Sequence, residues 1–195
     1  VPGARPPAGL EAFPRRTVQG GYKQWRMQVW IGQLLRRSFD RLLPDAALYH
    51  ATEHLLMPLQ HIPTVLTVHD LLFRHFPRYH KPKNFLFLNL AMPLFCRRAE
   101  VIIAVSEWTR RDLIETYHLP PDKIVVIYEA AAPHFCPQPP QAIAATRKHY
   151  NLPERYLMTL CAIEPRKNHG GFLSAFEQLC RDDPDLYWVI GGSKG

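Results

Sequence analysis

Residues 64–70 read Thr64-Val65-Leu66-Thr67-Val68-His69-Asp70. Five β-branched and apolar-rich residues run without strict alternation and stop at a charged pair. A strand covered on both faces has this signature, because parallel strands are packed by helices on each side. Runs of the same kind recur at 46–49, 101–105, 124–128, 156–161 and 186–190. Helical patterns fill 84–98, 107–117, 141–150 and 169–181. Strands alternating with helices predict an α/β fold built on doubly wound parallel sheets. Upstream, Trp25, Val29 or Trp30, Leu34 and Leu35 recur at helical spacing, which predicts a helix over 22–43 ended by Pro44. Residues 1–20, with Pro2, Pro6, Pro7 and Pro14, read as irregular.

One stretch breaks the rhythm. Residues 130–140 hold Pro133, Pro137, Pro139 and Pro140 without periodicity, as a linker does. The expected organisation is a domain over 1–132, a linker over 133–140, and the opening of a second domain over 141–195. The 195 residues are 47% apolar and 21% charged, which excludes wholesale disorder. No apolar run approaches the ~20 residues of a spanning helix; the longest, 85–96, is interrupted by Asn89 and Pro93. Cys96, Cys136, Cys161 and Cys180 are scattered, with no CxxC pair, and read as reduced thiols of a cytoplasmic protein rather than a disulfide or zinc framework. The formal charge is +7, and residues 1–41 carry +6 of it. Such a basic end suits an anionic neighbour, either a phosphorylated ligand or the head groups of a membrane. No motif that reads nucleic acid is present, so no nucleic-acid partner is expected.

Parallel sheets bind ligands beyond the carboxyl ends of their strands. Those ends carry His69-Asp70, Ser106-Glu107, Glu129, then Glu164-Pro165-Arg166-Lys167-Asn168, and Gly191-Gly192. A His-Asp pair, carboxylates, a dibasic turn and a diglycine along one rim suggest a cleft for an anionic ligand. Each also has a plain structural reading: Ser106 and Asn168 suit helix N-caps, and Gly191-Gly192 suits a turn.

In this order and spacing, 64–71, 105–109, 122–130, 163–168 and 189–192 resemble the retaining glycosyltransferases of group 1, also called family 4. The resemblance implies a GT-B fold, two Rossmann-like domains across a cleft, both incomplete here. It implies transfer of a hexose, mannose or glucose, from a nucleotide-diphosphate sugar to a glycan or lipid-linked acceptor, with no cofactor and no metal required. His69 and Asp70 are the expected catalytic residues. Lys167 would grip the donor diphosphate, with Arg166, Glu129, Gly191 and Gly192 also on the donor. Ser106 and His50 would face the acceptor or the cleft, so that His69, Ser106 and Lys167 line one groove. The family commonly has glycine where this chain has Cys161. Its glycine-rich loop is expected upstream of Val1 and its donor-binding E-x7-E pair beyond Gly195, so the fragment alone is expected to be inactive. The expected location is cytoplasmic and peripheral at the inner face of the membrane.

Two further patterns compete. Glu107 and Glu115 are spaced E-x7-E, but on the helix after Ser106, where a solvent-facing side explains them. His50-Ala51-Thr52-Glu53-His54 spells H-x-x-E-H, which on a helix would set two histidines on one face for zinc. A zinc-dependent hydrolase is therefore one alternative. The other is a non-catalytic basic module docking on a membrane through 22–43, with Trp25, Trp30 and Ile31 as anchors.

Overall fold

The computed structural model describes residues 13, 16–18 and 20–193. A four-stranded sheet runs in the order β1 (Tyr49–Ala51), β2 (Thr64–Val68), β3 (Val101–Ala104) and β4 (Ile124–Val126). All its pairings are parallel, with Tyr49 opposite Thr64, Leu66 opposite Ile102 and Ile103 opposite Val125. Its helices are α1 (Tyr22–Leu34), the single turn α2 (Leu72–His75), α3 (Pro82–Arg98) and α4 (Glu107–Tyr117). These elements form one unit, Val1–Ala130. A second unit, Ala131–Gly195, holds α5 (Pro140–Tyr150), β5 (Tyr156–Leu160), α6 (His169–Asp182) and β6 (Tyr187–Gly191).

The core of the first unit follows from the patterns of β2 and α3. Leu66 and Val68 of β2 are fully buried, and Thr64 and Thr67 are nearly so. Covering both faces forces the threonine hydroxyls to find partners: Thr64 is bonded to the Glu100 carboxylate and Thr67 lies 2.8 Å from His50 Nε2. On α3, Leu88, Ala91, Met92, Phe95 and Cys96 are buried at helical spacing and form the layer against the sheet with Val29, Leu56, Leu71, Ile102 and Leu113. Pro93 lies inside this helix without ending it. Burial pushes the Cys96 thiol up to about 12, which leaves it an inert core side chain.

Three expected boundaries move. The predicted helix over 22–43 stops at Leu34, because Arg36 turns left-handed (φ 53°) and the chain folds back. Gly32 permits that return: a Cβ there would sit 2.9 Å from Pro58 Cγ and 3.3 Å from the Phe39 ring. Phe39 then packs on Trp25, with ring centroids 5.7 Å apart. The first strand is 49–51 rather than 46–49, since its partner begins only at Thr64, after Pro63. β4 ends at Val126, two residues early, which leaves Glu129 in the loop beyond the sheet.

The second unit is built differently. Its two strands are parallel, Tyr156 opposite Tyr187 and Leu160 opposite Gly191. Phe172 and Phe176 of α6 pack on Trp188 of β6. Yet none of its described residues is fully buried.

Candidate functional site

All four strands of the first sheet point the same way, so their carboxyl ends share one rim. His69, Thr52, Glu129 and Thr109 meet there. His69 follows β2, and its Nε2 lies 3.0 Å from the carbonyl oxygen of Thr52, in the loop after β1. Its Nδ1 lies 3.0 Å from Glu129 Oε1, beyond β4. One strand separates β2 from β4, so the ring and Glu129 reach across about 10 Å of sheet. The backbone of His69 is held as well: Thr109 Oγ1 donates to its carbonyl at 2.9 Å.

The protonation state of His69 follows from its partners. The Thr52 carbonyl only accepts, so Nε2 donates to it, and the Glu129 carboxylate beside Nδ1 favours the protonated ring. The Thr52 carbonyl raises the pKa of His69 above its ordinary value. Partial burial opposes the rise, and the charges of Glu129 and Glu53 add to it. The ring is 41% exposed and Glu129 67% exposed, so the pair is open to an incoming ligand.

The neighbouring residues have structural duties. Asp70 Oδ1 accepts from the Leu72 N–H at 2.9 Å and opens α2. Ser106 is the N-cap of α4: its Oγ accepts from the Thr109 N–H at 3.1 Å. It therefore acts on the rim through Thr109, which holds His69. Thr109 is the residue that the sequence reading missed. A threonine three places after a capping serine carries no signal of a contact with residue 69.

His50 lies on β1, a strand, with Nε2 on Thr67 Oγ1. Glu53 and His54 follow in the loop, and burial pushes the His54 imidazole down. The H-x-x-E-H pattern is thus not on a helix, and its two histidines are not set on one helical face. Among the described residues no group of three or more metal-binding side chains lies together.

In the second unit, Pro165–Lys167 form one tight turn before α6. Asn168, left-handed at φ 53°, caps the helix with Oδ1 3.3 Å from the Gly171 N–H. Arg166 is tied to Glu164 at 2.6 Å. Lys167 is exposed and has no ion pair among the described residues. Gly191 ends β6, and its carbonyl accepts from the Cys161 N–H at 3.0 Å. Gly192 has φ 146°, and a Cβ there would meet the Cys161 carbonyl oxygen at 2.0 Å. That glycine is fixed by the backbone beside it, whatever it binds. His69, Asp70, Ser106, His50 and Glu129 thus belong to the first unit; Arg166, Lys167, Gly191 and Gly192 belong to the second.

On α1 the expected anchors are partly wrong. Trp25 and Trp30 pack inward against the core. Arg26 also turns in, with Nη1 2.9 Å from Asn84 Oδ1 and its guanidinium 3.9 Å over the Phe87 ring. Met27, Ile31, Leu34 and Leu35 are the exposed apolar residues, accompanied by exposed Lys23, Arg36 and Arg37. A cavity of about 620 Å³ between α1 and α3 is lined by Lys23, Arg26, Met27, Lys81, Lys83 and Phe87 among others. No helix among the described residues is long and apolar enough to cross a membrane.

The family model Glycosyltransferase Family 4 matches residues 1–133. The O-antigen chain mannosyltransferase B of Escherichia coli is 27% identical over 133 residues, 67% of this chain and 35% of that protein. A serotype-specific mannosyltransferase WbdA of Escherichia coli is 29% identical over 139 residues, 69% of this chain and 17% of that protein. The match thus spans about a third or less of these relatives. The crystal structure of Anabaena Alr3699/HepE in complex with UDP and glucose superposes with a TM-score of 0.54 at 20% identity, covering 69% of this chain and 34% of that one; this likeness is one of fold. With a parallel α/β unit and a family match over more than half its length, the chain belongs to Glycosyltransferase Family 4.

Proposed function

We propose that the full-length protein transfers a hexose, mannose in the first instance, from a nucleotide-diphosphate sugar to a glycan or lipid-linked acceptor with retention of anomeric configuration. The observation that carries this reading is His69, paired with Glu129 at 3.0 Å, on the carboxyl-end rim of a family 4 sheet. The names of the mannosyltransferase relatives favour mannose over glucose.

Glycosyl transfer expels a nucleoside diphosphate, and fixed positive charge at the leaving group lowers the barrier. Lys167, exposed at the start of a 14-residue helix, suits that task, and the helix N-terminus adds its dipole. Arg166, paired with Glu164, is a second cation in the same turn, and the Gly191-Gly192 turn brings backbone rather than side chain to the donor. The reading draws on no metal, since protein cations meet the developing charge. Acceptor binding falls to the first unit. There the α1 stripe of Met27, Ile31 and Leu34 with Lys23, Arg36 and Arg37 provides contact with an anionic membrane surface. Such contact suits a cytoplasmic enzyme working on lipid-linked glycans.

The test is transfer by the full-length protein from GDP- and UDP-hexoses to a lipid-linked glycan, with vesicle sedimentation alongside. Transfer from a mannose donor and binding to anionic vesicles in preference to neutral ones are expected. No transfer from any hexose donor would overturn the enzymatic reading, and equal binding to both vesicles the membrane one.

A further inference from the structure

The rim holds an arrangement that the proposed reaction does not by itself require. His69 has two ring nitrogens and two acceptors, the Thr52 carbonyl at Nε2 and Glu129 Oε1 at Nδ1, both at 3.0 Å. The acceptors come from opposite sides of the sheet, after β1 and after β4. They differ in kind. The Thr52 carbonyl is backbone and stays where the sheet puts it. Glu129 is an exposed side chain in the loop after β4. We propose that Glu129 is a positioning residue, which holds His69 as a doubly donating imidazolium aimed across the rim and yields Nδ1 to an oxygen of the incoming substrate.

On this view His69 is a fixed cation and hydrogen-bond donor, not a proton acceptor. A neutral histidine with one free lone pair could take a proton; this one has none to offer until Glu129 leaves and a proton is lost. A ligand reaching Nδ1 meets an N–H, so the ligand atom must be an oxygen with a lone pair, as in a sugar hydroxyl or a phosphoryl oxygen. Glu129 therefore acts through His69, rather than on the donor as the sequence suggests. The charged and titratable groups around the ring are Glu129, Glu53 and His54 from the loops after β4 and β1, with Asp70 next in the chain. The contact from α4 is Thr109, which is uncharged. Carboxylates outnumber the one histidine, so the field favours the imidazolium.

The inference deepens the glycosyltransferase reading, and its role in turnover rests on that reading; the state of the ring does not. Nitrogen-15 side-chain spectra of the 195-residue chain test the ring directly. In the unaltered chain both His69 nitrogens should be protonated at neutral pH, with a midpoint above the ordinary ~6.5 of histidine. In Glu129→Gln the midpoint should fall, and the neutral form should keep its proton on Nε2, facing Thr52. A midpoint at or below 6.5 in the unaltered chain, or an unmoved one in Glu129→Gln, overturns the proposal. Should Glu129→Gln fail to fold, the first measurement still decides. In the full-length enzyme, Glu129→Gln should move the alkaline limb of the kcat/KM profile to lower pH, and Glu129→Asp should restore part of the shift. An unmoved limb in an active enzyme overturns the catalytic role. A full-length enzyme without transferase activity would instead overturn the function proposed above, with the ring measurement unaffected.

Discussion

Lys167 and Arg166 are adjacent cations in one turn, yet their surroundings give them different work. Arg166 is held by Glu164 at 2.6 Å, so part of its charge is already answered. Lys167 is exposed without an ion pair among the described residues. In the full-length enzyme Lys167→Ala should therefore lower kcat ~100-fold or more, the usual cost of one charge-stabilising donor at a leaving group. Its stability should change by no more than ~0.5 kcal/mol, as for most surface substitutions. Arg166→Ala should cost less in kcat, because the guanidinium is partly committed to its neighbour. Thermal melts with steady-state kinetics at saturating donor check both; near-normal turnover of Lys167→Ala would refute the diphosphate assignment. Residue types at strand ends were legible in the sequence, because the ends of parallel strands are where polar groups gather. Their partners were not. The bond from Thr109 to His69 spans 40 positions, and the Glu129 contact depends on β4 ending at Val126 rather than two residues later.

Elements carry the next level. Ser106 lies between two of them, closing β3 and opening α4. Its hydroxyl caps the Thr109 N–H, and Thr109 in turn donates to the His69 carbonyl. Ser106→Ala should then have two separable effects. Loss of the cap should destabilise the unit by ~1 kcal/mol, and the His69 ring resonances should shift although Ser106 does not touch the ring. Urea unfolding measures the first and the side-chain spectra the second; a loss of stability with unmoved ring resonances would confine Ser106 to the helix. The strands and helices themselves were largely readable, since unbroken apolar runs and helical periodicity depend on local order in the chain. One helix, α1, was misjudged for a non-local reason. α1 stops at Leu34 because the chain must return to lay Phe39 on Trp25, a contact that no periodicity announces. The same contact turns Trp25 inward, so the exposed apolar stripe falls on Met27, Ile31 and Leu34 instead of the tryptophans.

At the scale of the molecule the two units are unequal in a way that should govern their stability. In the first, a central strand is closed on both faces, and Phe95, Leu66, Met92, Ile102 and Leu113 are buried together. The second rests on one parallel pair, β5 and β6, beside α5 and α6. Parallel sheets are normally covered on both sides, and a two-stranded sheet is marginal by itself. Here Met158 is 55%, Leu160 75% and Ile190 43% exposed, so little apolar surface leaves water to offset the entropy of ordering the strands. What the second unit does have is local: the Phe172, Phe176 and Trp188 cluster and the cap at Asn168. Opening of the second unit should therefore precede opening of the first. Amide exchange in the 195-residue chain should show β2 and β3 protected to the level of global unfolding, and β5 and β6 exchanging ~100-fold faster or more through local opening. Trp188→Ala should speed exchange in β5 and β6 further while leaving β2 and β3 unchanged, because the ring packs on Phe172 and Phe176 of α6 and its Nε1–H donates to Thr159 of β5, all within the second unit. Equal protection in the two sheets, or faster exchange at β2 and β3 tracking the Trp188 substitution, would mean that the units unfold as one. In that case the exposed strand faces of the second unit would not be its weak point.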